Sequence, residues 1–550
     1  MIISRPSSTA SRPDPDVAII GAGHNGLTCA AYLARAGYRV TLYERREIAG
    51  GAAVTEEFHP GFRNSTASYT VSLLHPKVRR DLRLDEHGLE IIERPLQNTL
   101  IEAPGRSLPM GPRLADTAQA LRDRGTGADA DRLADYHAHV GQAVDLLKRL
   151  LLETPPTDLR RWRDLFAAFA TGRAFRALPL AAQRAVHELF TRSAGDVLDG
   201  WFTDPALKAA YGFDAIVGSY TGPYTPGSAY VLLHHAFGEV NGKAGVWGHA
   251  RGGMGAITQA MAAEVTRLGG SIELGAPVQR VIVDRGRANG IELADGREVQ
   301  ARCVIANVNP RFLYLNLLDP SEIPPDVHRA MRDYRCGSAS FRMNLALSEL
   351  PDFAAGGQAH ADLHRSGILI SPSLGYLENA HADARRHGMS RAPVIEMLIP
   401  STVDDSLCPP GTHVASLFCQ HFDPTLPDGR SWQDARDEAT SLILDTVSKY
   451  APNFSRSLIA HSALSPLDLE EKFGLPRGDI FHGALGLDQL WAARPVLGYA
   501  DYRTAVPGLY LCGSGAHPGG GVSGIPGHNC AREVLRDRKT LHRGARTVAR

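Results

Sequence analysis

Asp16-Val-Ala-Ile-Ile-Gly-Ala-Gly-His-Asn-Gly26 runs on into Leu-Thr-Cys-Ala-Ala-Tyr-Leu-Ala-Arg-Ala36, then Gly37, then Arg39-Val-Thr-Leu-Tyr-Glu44. Val17 to Ile20 is a short apolar run of the kind a strand buried on both faces requires. Gly26 to Ala36 predicts a helix of small residues stopped by Gly37, and Arg39 to Glu44 predicts a second strand. Strand, helix and strand make one βαβ unit of about thirty residues.

The glycines of this unit have separate mechanical tasks. Gly21 permits the tight turn out of the strand, Gly23 lets backbone approach a pyrophosphate, and Gly26 lets helix and strand pack closely. His24 and Asn25 sit between them, at a helix N-terminus whose free N–H groups and partial positive charge suit phosphates. Glu44 ends the second strand, where a carboxylate accepts hydrogen bonds from ribose hydroxyls and repels a 2′-phosphate. The unit therefore predicts NAD or FAD rather than NADP.

A second glycine-rich stretch lies almost at the other end of the chain, Gly508-Leu-Tyr-Leu-Cys-Gly-Ser-Gly-Ala-His-Pro-Gly-Gly-Gly-Val-Ser-Gly-Ile-Pro-Gly527. A simple nicotinamide enzyme has no use for it. With Arg45 and the Gly50-Gly51 pair directly after Glu44, it selects FAD, held at its nucleotide end by the N-terminal unit and near its reactive end by the C-terminal one. The last helix is expected to begin near Pro526.

At 550 residues the chain is long for one core, and the two glycine-rich ends must reach one site, so two interleaved domains are expected. Residues 1–75, 247–310 and 471–550 are assigned to the nucleotide-binding domain, and 76–246 and 311–470 to a substrate or cap domain. From Leu74 to Val246 the chain is rich in Leu, Ala and Arg at helical spacing. Gly252-Gly-Met-Gly255 opens another helix, and strands follow at Ser271-Ile-Glu-Leu274, Val278–Val283, Ala288–Gly296 and Cys303–Ala306, with hairpin chemistry at Asp284-Arg-Gly286. The fold class is α/β: a Rossmann-like domain interleaved with a mixed α+β domain.

Composition is that of a soluble globular protein, with 43% hydrophobic and 21% charged residues. Basic and acidic residues balance at 59 each, which gives no electrostatic footprint for nucleic acid. The seven cysteines are scattered and never spaced Cys-x-x-Cys, so neither a metal site nor a dithiol is expected, and a reducing compartment, the cytoplasm, is the natural setting. No apolar run approaches the ~20 residues of a membrane-spanning helix. Met1 to Pro13, with two Arg and no acid, reads as a short tail, with a mitochondrial presequence as the alternative.

With these motifs assembled, the chain resembles the phytoene desaturase and carotenoid isomerase group of FAD proteins, within the wider amine oxidase-like class. Within that group it is most similar to the branch called pyridine nucleotide-disulfide oxidoreductase domain-containing protein 2. Further matching stretches are Pro226-Gly-Ser-Ala-Tyr-Val-Leu-Leu-His-His235, Gly238-Glu-Val-Asn-Gly242, Cys336-Gly-Ser-Ala-Ser-Phe341, Gly478-Asp-Ile-Phe-His-Gly483, Leu487-Asp-Gln-Leu490 and Arg494-Pro495. The resemblance implies non-covalent FAD, with Val278 at the adenine and Gly513, His517, Gly520, Gly521 and Val522 beside the flavin ring and pyrophosphate.

A flavin accepts a hydride itself, so the protein needs no triad of acid, base and nucleophile, only positioning and exclusion of water. His517 is the first candidate for tuning the ring or moving a proton. His234 and His235 read as core histidines paired with a carboxylate, Glu239 being near in sequence, and His482 lies in a glycine-rich motif. Leu159 to Arg176 intersperses five Arg with Trp162, Phe166, Phe169 and Phe175. It reads as a helix packed by its aromatic face, with peripheral contact to an anionic membrane as the alternative.

The expected activity is FAD-dependent dehydrogenation or desaturation of a small hydrophobic substrate. Oxygen or a quinone is the expected acceptor, since no second nucleotide unit is present. Redox-neutral isomerisation and a flavin-binding regulatory role are the alternatives.

Overall fold

The computed structural model of the protein describes residues 14–353, 361–427 and 429–537. The N-terminal tail, with its presequence alternative, lies outside the described residues.

The predicted βαβ unit is present as β1 (Val17–Ile20), α1 (His24–Arg35) and β2 (Val40–Tyr43). All four residues of β1 are buried, as a strand covered on both faces must be. The chain returns to this sheet through α2 (Gly255–Arg267), β3 (Ser271–Glu273), β4 (Cys303–Ala306), β5 (Leu509–Leu511) and α3 (Ile525–Arg536). The five strands lie in the order β3-β2-β1-β4-β5, every neighbouring pair parallel. This is the doubly wound order, and its reversal between β1 and β4 opens a crevice at the carboxyl ends of those strands. Gly21 and Asn307, the first residues past β1 and β4, meet there.

Small residues let the helices close on one another. A methyl group on Gly527 of α3 would come within 2.1 Å of the Asn25 carbonyl oxygen on α1, so only glycine allows this crossing. The same core reaches beyond the expected boundaries. Val78 to Ile91 and Leu313 to Tyr334 contribute buried apolar side chains to it as well.

An antiparallel meander of Val278–Asp284, Arg287–Leu293 and Glu298–Gln300 follows β3. Its first turn has positive φ at both Arg285 and Gly286, the mirror-image turn that matches strand twist.

The second unit is built on a seven-stranded sheet in the order Leu458–Leu464, Ser340–Leu347, His413–Phe422, Met389–Leu398, Gly367–Ile370, Asn98–Ala103, Arg106–Met110. Only Gly367–Ile370 and Asn98–Ala103 run parallel. Side chains alternate between two cores. Leu100, Leu369, Val394 and Phe418 face the helices of residues 114–235, whereas Ile101, Ile370, Ile395 and Leu417 face the helix Trp432–Tyr450.

The stretch from Leu74 to Val246 is largely helical, as its spacing predicts, with short strands set into it. Asn98–Ala103 and Arg106–Met110 form a hairpin across Pro104-Gly105, with Gly105 at φ 72°, and give the large sheet its edge. A correction concerns Trp162–Arg176. The helix forms, but its aromatic face is not packed: Trp162, Phe166 and Phe169 are exposed, and the one buried residue is Asp164. Among the described residues no helix is long and apolar enough to cross a membrane, and no cluster of His, Cys, Asp and Glu could hold a metal ion.

Candidate functional site

A cleft of about 950 Å³ opens at the crevice between β1 and β4. Of the residues expected at the nucleotide, Gly21, Gly23, His24, Asn25, Glu44, Arg45, Gly51 and Val278 line it. Gly21 has φ 89°, and α1 starts at Gly23 with no side chain capping its first-turn N–H groups, which leaves them free for an anion. Gly51 passes so close to Gly23 that a methyl group on it would stand 3.1 Å from the Gly23 Cα.

Gly26 and Gly50 shape this cleft from behind instead of lining it. A side chain on Gly26 would meet the Gly21 carbonyl oxygen at 2.4 Å, and one on Gly50 would meet Thr258 Oγ1 at 2.6 Å. Glu44 is buried and accepts from two backbone donors, Ala22 N at 2.9 Å and Arg46 N at 3.0 Å. Its carboxylate thereby fixes both the glycine turn and the chain that follows. Arg45 donates to the Glu471 carbonyl oxygen at 2.7 Å.

Five further residues belong to the cleft. Asn307 Nδ2 donates to the Gly21 carbonyl oxygen at 3.1 Å and backs all three glycines of the turn. His482 and the Phe473-Gly474-Leu475 segment close the opposite wall. Buried polar atoms with no hydrogen-bond partner among the described residues gather here: Asn25 Oδ1, Arg46 Nη1 and His482 Nδ1. Uncapped helix amides, glycine-walled space and orphaned polar atoms together suit a dinucleotide.

The C-terminal glycine segment extends the site inward. Ser514 lines the cleft and accepts from Asn25 Nδ2 at 3.2 Å, while Gly513 lies against the Val308 carbonyl oxygen. Gly521 accepts from His24 Nε2 at 3.0 Å. Burial pulls His24 down to about 4, so it is neutral and holds its proton on the donating nitrogen. The fully buried Arg494 fastens the segment to the Gly478–Gly483 motif, donating to Phe481 O at 2.7 Å and Ser514 O at 2.9 Å.

Beyond this segment lie two inner cavities. One, about 600 Å³, is bounded by Gly520, Pro518, His234 and Phe237 and reaches the surface at Pro76 and Lys148. The other, about 720 Å³, is bounded by Gly521, Val522 and Phe481 on the cofactor side and by Phe213, Val217, Trp247 and Phe418 beyond. Tyr69 stacks on Phe418 at 5.2 Å and lies under the Arg342 guanidinium at 4.4 Å. Its hydroxyl donates to Glu396.

Asp214 faces the same cavity, and its carboxylate makes no hydrogen bond or ion pair among the described residues. Burial, with the nearby Glu396 charge adding, pushes it up to about 7.

His517 is placed differently from expectation. Its Nε2 is 2.9 Å from the Leu150 carbonyl oxygen, its ring stands edge-on to Trp491 at 4.6 Å, and it lines none of the three cavities. The ring is buried and fastens the C-terminus of the helix Gly127–Leu151. Neither His234 nor His235 bonds Glu239. His235 Nδ1 donates to the Val231 carbonyl oxygen at 2.9 Å, and neither nitrogen of His234 has a hydrogen-bond partner among the described residues. Burial pulls His234 down to about 3.

Residues 26–341 match the family of flavin containing amine oxidoreductases. The chain belongs to that family. It is 39% identical to pyridine nucleotide-disulfide oxidoreductase domain-containing protein 2 of Rattus norvegicus, over 96% of this chain and 95% of the relative. It is 26% identical to the lycopene-forming phytoene desaturase of a Paracoccus species, over 92% and 94%. Among solved structures, a triple mutant of putrescine oxidase superposes with a TM-score of 0.60 at 18% identity, covering 95% of this chain and 99% of that one, and shares the fold.

The protein is an FAD-dependent oxidoreductase and its cofactor is FAD, as the two glycine segments require. The cleft fits the adenosine and pyrophosphate. Gly520 lines one inner cavity and Gly521 and Val522 line the other, while Gly521 is bonded to His24 of the cleft, so this segment stands between cleft and cavities. The seven cysteines are free and none is spaced Cys-x-x-Cys, and Cys29, Cys512 and Cys530 lie side by side, buried beneath the nucleotide cleft's sheet and helices.

Proposed function

We propose that the protein dehydrogenates a small, largely hydrophobic organic molecule bound in the cavity between Val522 and Phe418, and passes the electrons to oxygen or a quinone. The observation that carries this reading is the lining of that cavity. Phe213, Val217, Trp247, Phe418, Ile480 and Phe481 give it an apolar, largely aromatic wall beside Gly521 and Val522, while Thr70, Asn98, Asp214, His235 and Glu396 supply the polar groups that orient a substrate.

FAD, when bound, supplies the acceptor for a hydride. The chain supplies the rest. Tyr69 and Phe418, stacked and pinned by Arg342, give a rigid wall against which a flat or branched carbon skeleton is oriented. The aromatic lining keeps water out. Asp214 Oδ, unpartnered and poised to titrate near neutral pH, is placed to take the proton that leaves with the hydride. Glu396, held by Tyr69, keeps Asp214 from ionising too early. Seven free cysteines support a reducing compartment, the cytoplasm, as the setting.

Anaerobic mixing of the holoenzyme with a panel of apolar alcohols, amines and alkenes tests the reading. Stoichiometric bleaching of the flavin absorbance by a panel member is expected. Turnover seen only after prior chemical reduction of the flavin would instead make the protein an isomerase.

A further inference from the structure

Eleven large hydrophobic side chains are exposed among the described residues, and six of them fall between Leu159 and Leu180. Four lie on the helix Trp162–Arg176 at the spacing of one face: Trp162 (75% exposed), Leu165, Phe166 (66%) and Phe169 (68%). Helical rotation continues that face into Arg173 and Arg176, both exposed. The helix has one acid, Asp164, which points to the opposite side. It is buried and accepts from Thr157 N, Thr157 Oγ1 and Asp158 N.

The charges around this face are of one sign. Arg161, Arg173, Arg176 and Arg184 make no ion pair among the described residues, whereas Arg160 and Arg163 are held by Asp158 and Glu533. An apolar ridge of large aromatics flanked by unneutralised guanidinium groups is costly in water, and it complements a surface with an apolar interior and anionic headgroups.

Its position ties it to the site. Arg163 and Thr154 both bond Glu533 of α3, at 3.0 Å and 2.6 Å. The first turn of α3, Ile525, lines the inner cavity that opens at Pro76 and Lys148, as does Leu151, which precedes the loop into this helix. The exposed ridge and the cavity mouth are therefore anchored to the same helix.

We propose that the helix Trp162–Arg176 docks the protein on an anionic lipid bilayer, with its aromatic face in the headgroup region and Arg161, Arg173 and Arg176 at the phosphates. Docked this way, the inner cavity receives lipophilic substrate from the membrane. This last clause rests on the function proposed above; the docking itself does not. A protein partner or a second copy of the chain would cover the apolar ridge, but neither accounts for four unpaired arginines around it.

Co-sedimentation of the FAD-loaded protein with sucrose-loaded vesicles decides the matter. With vesicles of 70% phosphatidylcholine and 30% phosphatidylglycerol at low salt, most of the wild-type protein is expected in the pellet. Binding should fall at least tenfold in 0.5 M NaCl, on pure phosphatidylcholine, and in the variants Phe166→Asp/Phe169→Asp and Arg173→Glu/Arg176→Glu. All four positions are exposed, and unchanged flavin content and melting temperature verify that the variants fold.

Wild-type protein that stays in the supernatant with anionic vesicles overturns the proposal. So does a concentration-dependent dimer that Phe166→Asp/Phe169→Asp dissociates while vesicle binding is absent, which gives the face to a second copy. Vesicle binding without flavin bleaching by any hydrophobic compound would leave the docking intact and remove the dehydrogenase reading.

Discussion

His24 Nε2 lies 3.0 Å from the Gly521 carbonyl oxygen, joining the first glycine motif to the last across 497 residues of sequence. The bond sits where the nucleotide cleft gives way to the inner cavities, so it fixes how the C-terminal segment borders the cofactor. A bond of this kind contributes about 1 kcal/mol net, and more where its loss strands a buried carbonyl. His24→Ala is expected to weaken FAD binding by about five- to thirtyfold, read by fluorescence titration of the apoprotein. An unchanged affinity would make the contact incidental to the cofactor.

Gly26→Ala sets two effects against each other. Replacing glycine inside a helix gains about 1 kcal/mol in propensity. Against that, the new methyl group would stand 2.4 Å from the Gly21 carbonyl oxygen and 2.8 Å from Asn307 Nδ2. The first of these is backbone of the turn itself and cannot yield without moving it, and overpacking of this sort costs about 1–3 kcal/mol. The steric effect wins. The variant should purify without yellow colour and melt several degrees lower, which absorbance at 450 nm and calorimetry measure together.

The sequence carries the nucleotide half of the site because βαβ geometry is local. Turn, helix start and carboxylate all fall between Gly21 and Glu44, and their spacing alone dictates contact. Asn307 was within reach of the same reasoning, since it follows Cys303–Ala306, a strand legible as such, at the carboxyl end where ligands bind. The inner cavities were not. Glu396 and Phe418 pair across adjacent strands, but Tyr69, in a loop, and Asp214, at the end of the helix Pro205–Asp214, reach them from far away in sequence, and no local pattern encodes that meeting. His517 illustrates the same point: its place in a glycine-rich motif fixes its backbone, but its ring bonds Leu150, on a helix far away in sequence.

Asn is the informative replacement at His517. If the ring only fastens the Gly127–Leu151 helix, His517→Asn should lower the melting temperature by a few degrees, corresponding to about 1–2 kcal/mol. The rate of flavin bleaching by substrate should stay within about threefold. A loss of a hundredfold or more in that rate, with the melting temperature unchanged, would return His517 to the chemistry.

Buried neutral histidines make the protein acid-sensitive. Burial holds His24 and His517 at about 4, and His234 and His482 at about 3. In the unfolded chain each titrates near 6.5. Between these values the unfolded state binds more protons than the folded one, so stability rises with pH through the window and is complete above about 6.5. Falling from pH 7.5 to pH 5 should cost roughly 1–2 kcal/mol for each such group. Urea midpoints measured at half-unit intervals should drop steadily below pH 6.5, and a flat profile down to pH 5 would contradict the burial of these rings.

Asp214 acts in the opposite sense. Its folded value of about 7 lies above the ordinary carboxylate range, so the folded state binds the extra proton between about pH 4 and 7 and stability falls as pH rises. At pH 8 the buried charge costs on the order of 2–4 kcal/mol. Asp214→Asn removes the charge at constant size, so the variant should be more stable than wild type at pH 8 and equal to it near pH 4. The same change removes the proton acceptor. With a substrate that bleaches the wild-type flavin, the bleaching rate should rise through pH 7 in the parent, and in Asp214→Asn it should be flat and at least a hundredfold slower. A variant that gains stability at pH 8 yet keeps the wild-type rate and pH profile would leave Asp214 buried but idle, and move the proton to Glu396.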